Sequence, residues 1–202
     1  MKKIISQLKT AFLTSIVMMI ICGLIYPFAV TALAQLAFHD QANGSLIKID
    51  NRVVGSKLIG QNYKNPAHFI SRVSSVNYNI YEKNDTKYAG VSSGNFNYAP
   101  SNPELTKRIT NSVDEFLKEN PTVSRTDIPA DLMTSSGSGL DPHISIAAAE
   151  IQIDRIAAAS HLSKEEIQDI IRKTTSQKTF GVLGEDKMNV LEANILIDQK
   201  MK

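Results

Sequence analysis

Tryptophan is absent from this 202-residue chain, cysteine occurs once and histidine four times. A single thiol, Cys22, cannot close a disulfide within the chain, and it rules out a cysteine-based metal centre as well. The histidines are scattered without an i, i+4 pair, so Asp141, His143 and His161 make a weak case for metal ligation. Charge imbalance is missing too: 22 Lys and Arg stand against 20 Asp and Glu. Three of those lysines crowd the N-terminus, and residues 39–202 carry 19 basic and 20 acidic groups. A nucleic-acid partner has no electrostatic support from such a balance.

The longest absence is of charge along the chain. Between Lys9 and His39 no residue is ionisable as an acid or base of ordinary strength, and the stretch is overwhelmingly apolar. A helix needs roughly 20 apolar residues to cross about 30 Å of hydrocarbon, so residues 10–36 suffice for a transmembrane anchor. Lys2, Lys3 and Lys9 hold residues 1–9 on the cytoplasmic side, which sends residues 39–202 outside the cytoplasm. A cleaved export signal is the competing reading, because a helix-breaking Pro27 is followed by Ala32-Leu33-Ala34, a small-x-small cleavage pattern before Gln35. The apolar core from Ala11 to Tyr26 is long for a signal, and the uncharged run continues past the cut. At 100° per residue Ala11, Ser15, Cys22 and Ala29 fall within roughly a 40° arc, a stripe that would let another helix approach closely in lipid. With no acid or base inside the span, this helix offers no ion pathway of its own.

Downstream, patterning indicates one α+β domain with a small sheet and about four helices. Two short strands flank Asp50-Asn51, and residues 68–73 (HFISRV) read as a third. From about residue 74 to 100 the chain is rich in Asn, Ser and Tyr, a long polar loop whose Tyr78, Tyr81, Tyr88, Phe96 and Tyr98 indicate a contact surface. Ser101 as a cap and Pro103 just after it open an amphipathic helix that ends at Asn120-Pro121. A second helix is expected from Asp141 as N-cap and Pro142 to about Ser160, apolar over most of its circumference. Ser163 with Glu166, and Asn189 with Glu192, cap two more.

The densest set of reactive residue types is Ser135 to His143. It lacks the G-x-S-x-G pattern, and Asp and His two apart cannot build a nucleophile, base and orienter by local spacing, so no catalytic residue is assigned. The glycines Gly137 and Gly139 before a helix start could present N–H groups to an anion, but no G-x-x-x-x-G-K-[ST] occurs and no lysine follows. Gly137, Ser138, Gly139, Asp141, Pro142 and His143 are therefore expected to form a tight entry into a helix. Gln152 and Arg155 sit in an apolar helix and need partners, either a capped loop or neighbouring helix end, or a contact to another subunit.

Taken in order, Asn43-Gly44-Ser45-Leu46, Gly55-Ser56, Ile59-Gly60-Gln61, Phe69 with Arg72, Gly94-Asn95, Ser101-Asn102-Pro103, the block TSSGSGLDPHIS from Thr134 to Ser145, Gln152, Arg155, Leu183-Gly184-Glu185 and the block from Asn189 to Asn194 resemble the C subunits of bacterial Kdp potassium-transporting ATPases. The resemblance runs from anchor to C-terminus. It implies a non-catalytic accessory subunit of a high-affinity potassium importer in the bacterial inner membrane, assembled with a pore-forming potassium-binding subunit, a P-type ATPase subunit and a small single-span subunit. It also implies a chaperone role that raises the ATPase subunit's affinity for ATP, with no cofactor bound by this chain on its own. The alternative from the residues alone remains an exported soluble binding or hydrolytic domain, cleaved after Ala34.

Overall fold

A computed structural model describes residues 2–81 and 90–202. The chain divides into two compact units, Met1–Val54 and Gly55–Lys202.

In the first unit, α1 (Lys2–Ile20), a π-helical turn (Ile21–Ile25) and α2 (Tyr26–Ala37) run on from one another. Together they make one apolar helix over Lys3–Ala37, long enough to cross a membrane. Pro27 does not break it, contrary to the expectation from sequence. The π turn just ahead of Pro27 widens the coil there, which relieves the clash between a proline ring and the carbonyl one turn back. Phe38 leaves helical geometry at φ −139°, and the single turn α3 (His39–Ala42) follows. Strands β1 (Leu46–Ile49) and β2 (Arg52–Ser56) then pair as a two-stranded sheet. Asp50 and Asn51 between them both take positive φ, 49° and 62°, the two-residue turn whose twist suits a hairpin.

The second unit interleaves helices with a three-stranded antiparallel sheet: α4 (Pro103–Glu119), α5 (Ala130–Met133), β3 (His143–Ser145), α6 (Ile146–Glu150), α7 (Ile153–Ser160), α8 (Lys164–Thr174), β4 (Thr175–Ser176), β5 (Lys187–Asn189) and α9 (Val190–Lys200). β5 is central, with Ile144 opposite Met188 on one side and Thr175 opposite Met188 on the other. The fold is α+β as expected, but these strands fall among the helices rather than ahead of them. The core is mostly aliphatic, with Phe69 and Phe116 among it: Phe69, Ile156, Ile167, Met188 and Ile197 have no exposed surface, and they gather residues from the 69 segment, α7, α8, β5 and α9.

Four local expectations are corrected. Residues 68–73 form no strand, because their backbone groups bond side chains from helices instead. The cap of α4 is Asn102, not Ser101, its side chain accepting from Glu104 N at 2.9 Å. Asp141-Pro142 starts no helix; β3 intervenes and Ser145 caps α6, accepting from Ala148 N at 3.1 Å. The helix from there to Ser160 is broken after Glu150. The Gln152 side chain takes the Ala148 carbonyl at 2.9 Å, and the Gln152 amide falls back to Ala149 O, so a polar side chain displaces the backbone donor that would have continued the helix. Ser163 with Glu166 forms a complete capping box on α8, and Asn189 caps α9 through Glu192 N, both as the spacing indicated.

Candidate functional site

Between Gly60 and Pro100 the described residues contain no strand and, apart from turns, only a single 3-10 turn of helix, Asn77–Asn79. Side chains fix this backbone in place of a sheet. Asn194 grips Phe69 at both ends, accepting from its N–H at 2.7 Å and donating to its C=O at 2.9 Å, as a neighbouring strand would. Gln152 accepts from Ile70 N at 2.8 Å and from Arg155 Nη2 at 2.7 Å. Arg155 Nη1 donates to His68 O at 2.9 Å and to Pro66 O, and its Nε to Asn120 Oδ1 at 3.0 Å. Gln152 has no exposed surface and all these bonds are internal. The reading of Gln152 as a subunit contact is corrected accordingly: with Arg155 it is a strut under the 66–70 segment. Burial pushes the Arg155 guanidinium below its usual pKa, with Glu119 opposing.

The Ser135–Asp141 segment is a seam onto which three stretches of loop are sewn. Leu140 O accepts from Gly60 N at 2.8 Å, Gly139 O from Ser74 Oγ at 2.6 Å, and Ser138 O from Gly94 N at 2.8 Å. Ser135 Oγ donates to Asn95 Oδ1. Gly139 stands at φ +67°, and a Cβ there would lie 2.7 Å from Gly94 O; one on Gly60 would lie 2.5 Å from Asp141 O. A Cβ on Gly137 would meet nothing within 4 Å. The tight approach expected here is thus made by Gly139, onto a loop and not into a helix. The Ser136 and Ser138 hydroxyls accept from Gly139 N and Leu140 N, which makes them turn-formers.

Asp141 anchors the end of the seam. Its Oδ2 accepts from Arg72 Nη1 at 2.9 Å, and its Oδ1 from His143 N at 3.0 Å with His143 Nδ1 at 3.3 Å. Burial alone would raise its pKa, but the His143 and Arg72 hydrogen bonds and the Arg72 charge outweigh it and hold the carboxyl at about 2. Pro142 O accepts from Val190 N at 2.9 Å, tying the seam to the start of α9. Above it, Asn77, Tyr78 and Asn79 all take left-handed φ, 47°, 50° and 56°, at a cost of about 1 kcal/mol or more apiece. Ser74 Oγ accepts from Tyr78 N at 2.9 Å, and Asn79 exchanges bonds with the Ser92 backbone at 2.9 and 3.1 Å. The Tyr78 hydroxyl donates to Arg72 O, and burial raises its pKa to about 12. Tyr81 donates to Val76 O at 2.9 Å.

Phe96 and Tyr98 differ from these. Their rings stack at 5.3 Å and 12°, with the Arg108 guanidinium 5.3 Å from the Phe96 centroid, and each residue is over a third exposed. Of the loop aromatics named from sequence, Tyr78 and Tyr81 brace the loop through their hydroxyls, Phe96 and Tyr98 present an apolar face outward, and Tyr88 lies outside the described residues. An apolar tip went unrecognised: Phe180, Val182 and Leu183 are 90, 77 and 61% exposed at the end of the β4–β5 hairpin. A Phe-Gly-Val-Leu run between lysines was its signal. Arg108 was missed as well, since one arginine on an amphipathic helix has no distinguishing spacing.

Along the apolar helix Ala11, Ser15, Cys22 and Ala29 are all exposed. Ser15 Oγ donates to Ala11 O at 2.9 Å. The π turn lies between Ser15 and Ala29, so one 100° phase no longer relates the four: Ala11 and Ser15 precede it, Cys22 lies in it and Ala29 follows it.

A family profile described as K+-transporting ATPase, c chain (KdpC) matches residues 8–199. A potassium-transporting ATPase KdpC subunit of Clostridioides difficile (strain 630) is 54% identical over 196 residues, covering 93% of this chain and 94% of that protein. One from Clostridium kluyveri is 45% identical over 197 residues, at 96% and 94% coverage, and one from Bacillus cereus (strain ATCC 14579) is 45% identical over 185 residues, at 91% of each. The match takes in the apolar helix, the seam and the α9 cap alike, and this chain belongs to the KdpC family of potassium-transporting ATPase subunits.

Proposed function

We propose that the chain is a single-pass accessory subunit: its apolar helix anchors it, its C-terminal unit lies on the outer face, and it braces the pore-forming subunit to the P-type ATPase and small single-span subunits of the complex. The observation that carries this reading is the helix itself. It is long enough to span yet has no charged residue between Lys9 and His39, so potassium crosses through a partner while this chain holds its neighbours. Lysines at one end only orient it with the N-terminus in the cytoplasm. Phe96, Tyr98 and Arg108 then face partner surface, because stacked aromatics with an arginine are the residue types that concentrate binding energy. ATP is bound by the ATPase subunit, and the gain in its ATP affinity implied by the family resemblance is transmitted through the subunits that the outer unit braces.

Intact mass and fractionation test the anchor. The full 22.2 kDa in the detergent fraction is expected; a species roughly 3.5 kDa lighter and soluble without detergent, as cleavage after Ala34 would give, overturns it. The ATP dependence of hydrolysis, compared between complexes with and without this subunit, tests the affinity effect; an unchanged KM for ATP counts against it.

A further inference from the structure

The apolar helix has a defect in its own hydrogen bonding. In an α-helix each carbonyl accepts from the N–H four residues on. Tyr26 N–H bonds Ile21 O instead, five residues back, and the next residue, Pro27, has no N–H. The Cys22 carbonyl is passed over by both residues of the following turn that could reach it. On a soluble surface water heals such a gap. Here Cys22 lies about 24 Å of helix from Phe38 and about 18 Å from Thr10, near the middle of the uncharged run. A backbone carbonyl left unpaired in hydrocarbon costs several kcal/mol.

The neighbouring residue opens a way in. Gly23 is exposed, and a Cβ built on it would meet nothing within 4 Å, so a second backbone can come close beside the carbonyl. On its N-terminal side Ser15 bonds Ala11 O and Thr10 bonds Ser6 O, and Thr14 lies eight residues back, about 12 Å of helix from Cys22. A parallel second copy would bring Met19–Tyr26 to this depth, whose side-chain donors are the weak Cys22 thiol and the Tyr26 hydroxyl a turn away. The demand is better met by a different helix.

We propose that the Cys22 carbonyl and the Gly23 notch form a docking point for a transmembrane helix of another polypeptide, one that presents a hydroxyl or carboxamide donor (Ser, Thr, Asn or Gln) at mid-membrane depth. It rests on the spanning reading above. It goes beyond a stripe of small residues, because it assigns one atom of this chain and the chemistry of the group that meets it.

The single cysteine supplies the probe, since carbonyl-13C cysteine labels one backbone carbon in the whole chain. The labelled full-length chain is placed in bilayers, alone and assembled with the unlabelled remaining subunits of the potassium-transporting ATPase, and the Cys22 carbonyl is read by solid-state NMR. Expected is an unbonded carbonyl for the dilute chain alone and a downfield shift on assembly. Gly23→Leu abolishes that shift and lowers copurification of the other subunits roughly threefold or more. Pro27→Ala, which removes the need for the π turn and lets the Tyr26 N–H return from Ile21 O to the Cys22 carbonyl, shows the bonded position without any partner. A bonded position in the dilute wild-type chain, no shift on assembly, or a shift produced merely by crowding copies of this chain each overturns the docking point while leaving the anchor standing. Recovery of the chain in the aqueous fraction overturns the anchor and the docking point together.

Discussion

Asp141 stabilises the fold through three hydrogen bonds to its ionised form, so its contribution depends on pH. Its carboxyl titrates near 3.8 when unperturbed and at about 2 here. A depressed pKa means that the stabilisation is complete above about 4 and is lost as pH falls through about 2. Asp141→Asn is expected to cost on the order of 2 kcal/mol at pH 7 and progressively less below pH 4. Denaturant titration of the full-length chain in detergent, repeated across that range, checks it; a cost that does not vary with pH would remove the ionic bond to Arg72 from the account. Asn194→Ala acts without any such pH dependence. It strands both the N–H and the C=O of buried Phe69, and about 2–4 kcal/mol should be lost in the same measurement. Neither residue stood out by type. Asp141 read as a helix cap because Asp-Pro is a common helix opening, and Asn194 is one of several polar residues on its helix.

At the scale of elements, the glycines of the seam differ in what they do. Gly139→Ala places a methyl 2.7 Å from Gly94 O at a left-handed φ, whereas Gly137→Ala enters open space. The first should lower the melting temperature by several degrees, while the second leaves it nearly unchanged; equal effects would mean that the seam yields freely. Capping signals were legible because they are local: Ser163 with Glu166 and Asn189 with Glu192 satisfy backbone groups within three residues. Residues 68–73 misled because a short run with Phe, Ile and Val records burial, and burial here is delivered by α7 and α9 in place of a neighbouring strand. The break after Glu150 was hidden for a related reason. Periodicity continues through it, and only the Gln152 side chain's bond to Ala148 O interrupts the backbone ladder.

For the whole molecule, the expected orientation is open to direct measurement. Cys22→Ser with Glu185→Cys puts the only thiol on an exposed side chain of the C-terminal unit, and an impermeant maleimide should label it in intact cells whose outer barrier is permeable to the reagent. Labelling only after the inner membrane is broken would reverse the topology and bring the domain to the ATP side. Phe96→Ala with Tyr98→Ala removes the stacked face without touching the buried core. Copurification of the other subunits should fall about tenfold or more, since paired aromatic anchors contribute on the order of 2 kcal/mol. Unchanged recovery would move the contact elsewhere, with the Phe180 tip the next surface to replace.

The sequence by itself determined the apolar span, its basic start, the hairpin turn at Asp50-Asn51 and the capped helices, because each depends on residues within a turn or two of one another or on composition alone. The family, too, followed from motifs in order. Only the tertiary structure decided that Pro27 is absorbed by a π turn, that Gln152 and Arg155 face inward, and that Gly60, Ser74, Gly94 and Gly139 meet along one seam. The last two join groups that lie far apart in the chain, where a buried polar atom takes whichever partner the packing brings within reach; the first is a local change of hydrogen-bond register that apolar patterning does not record.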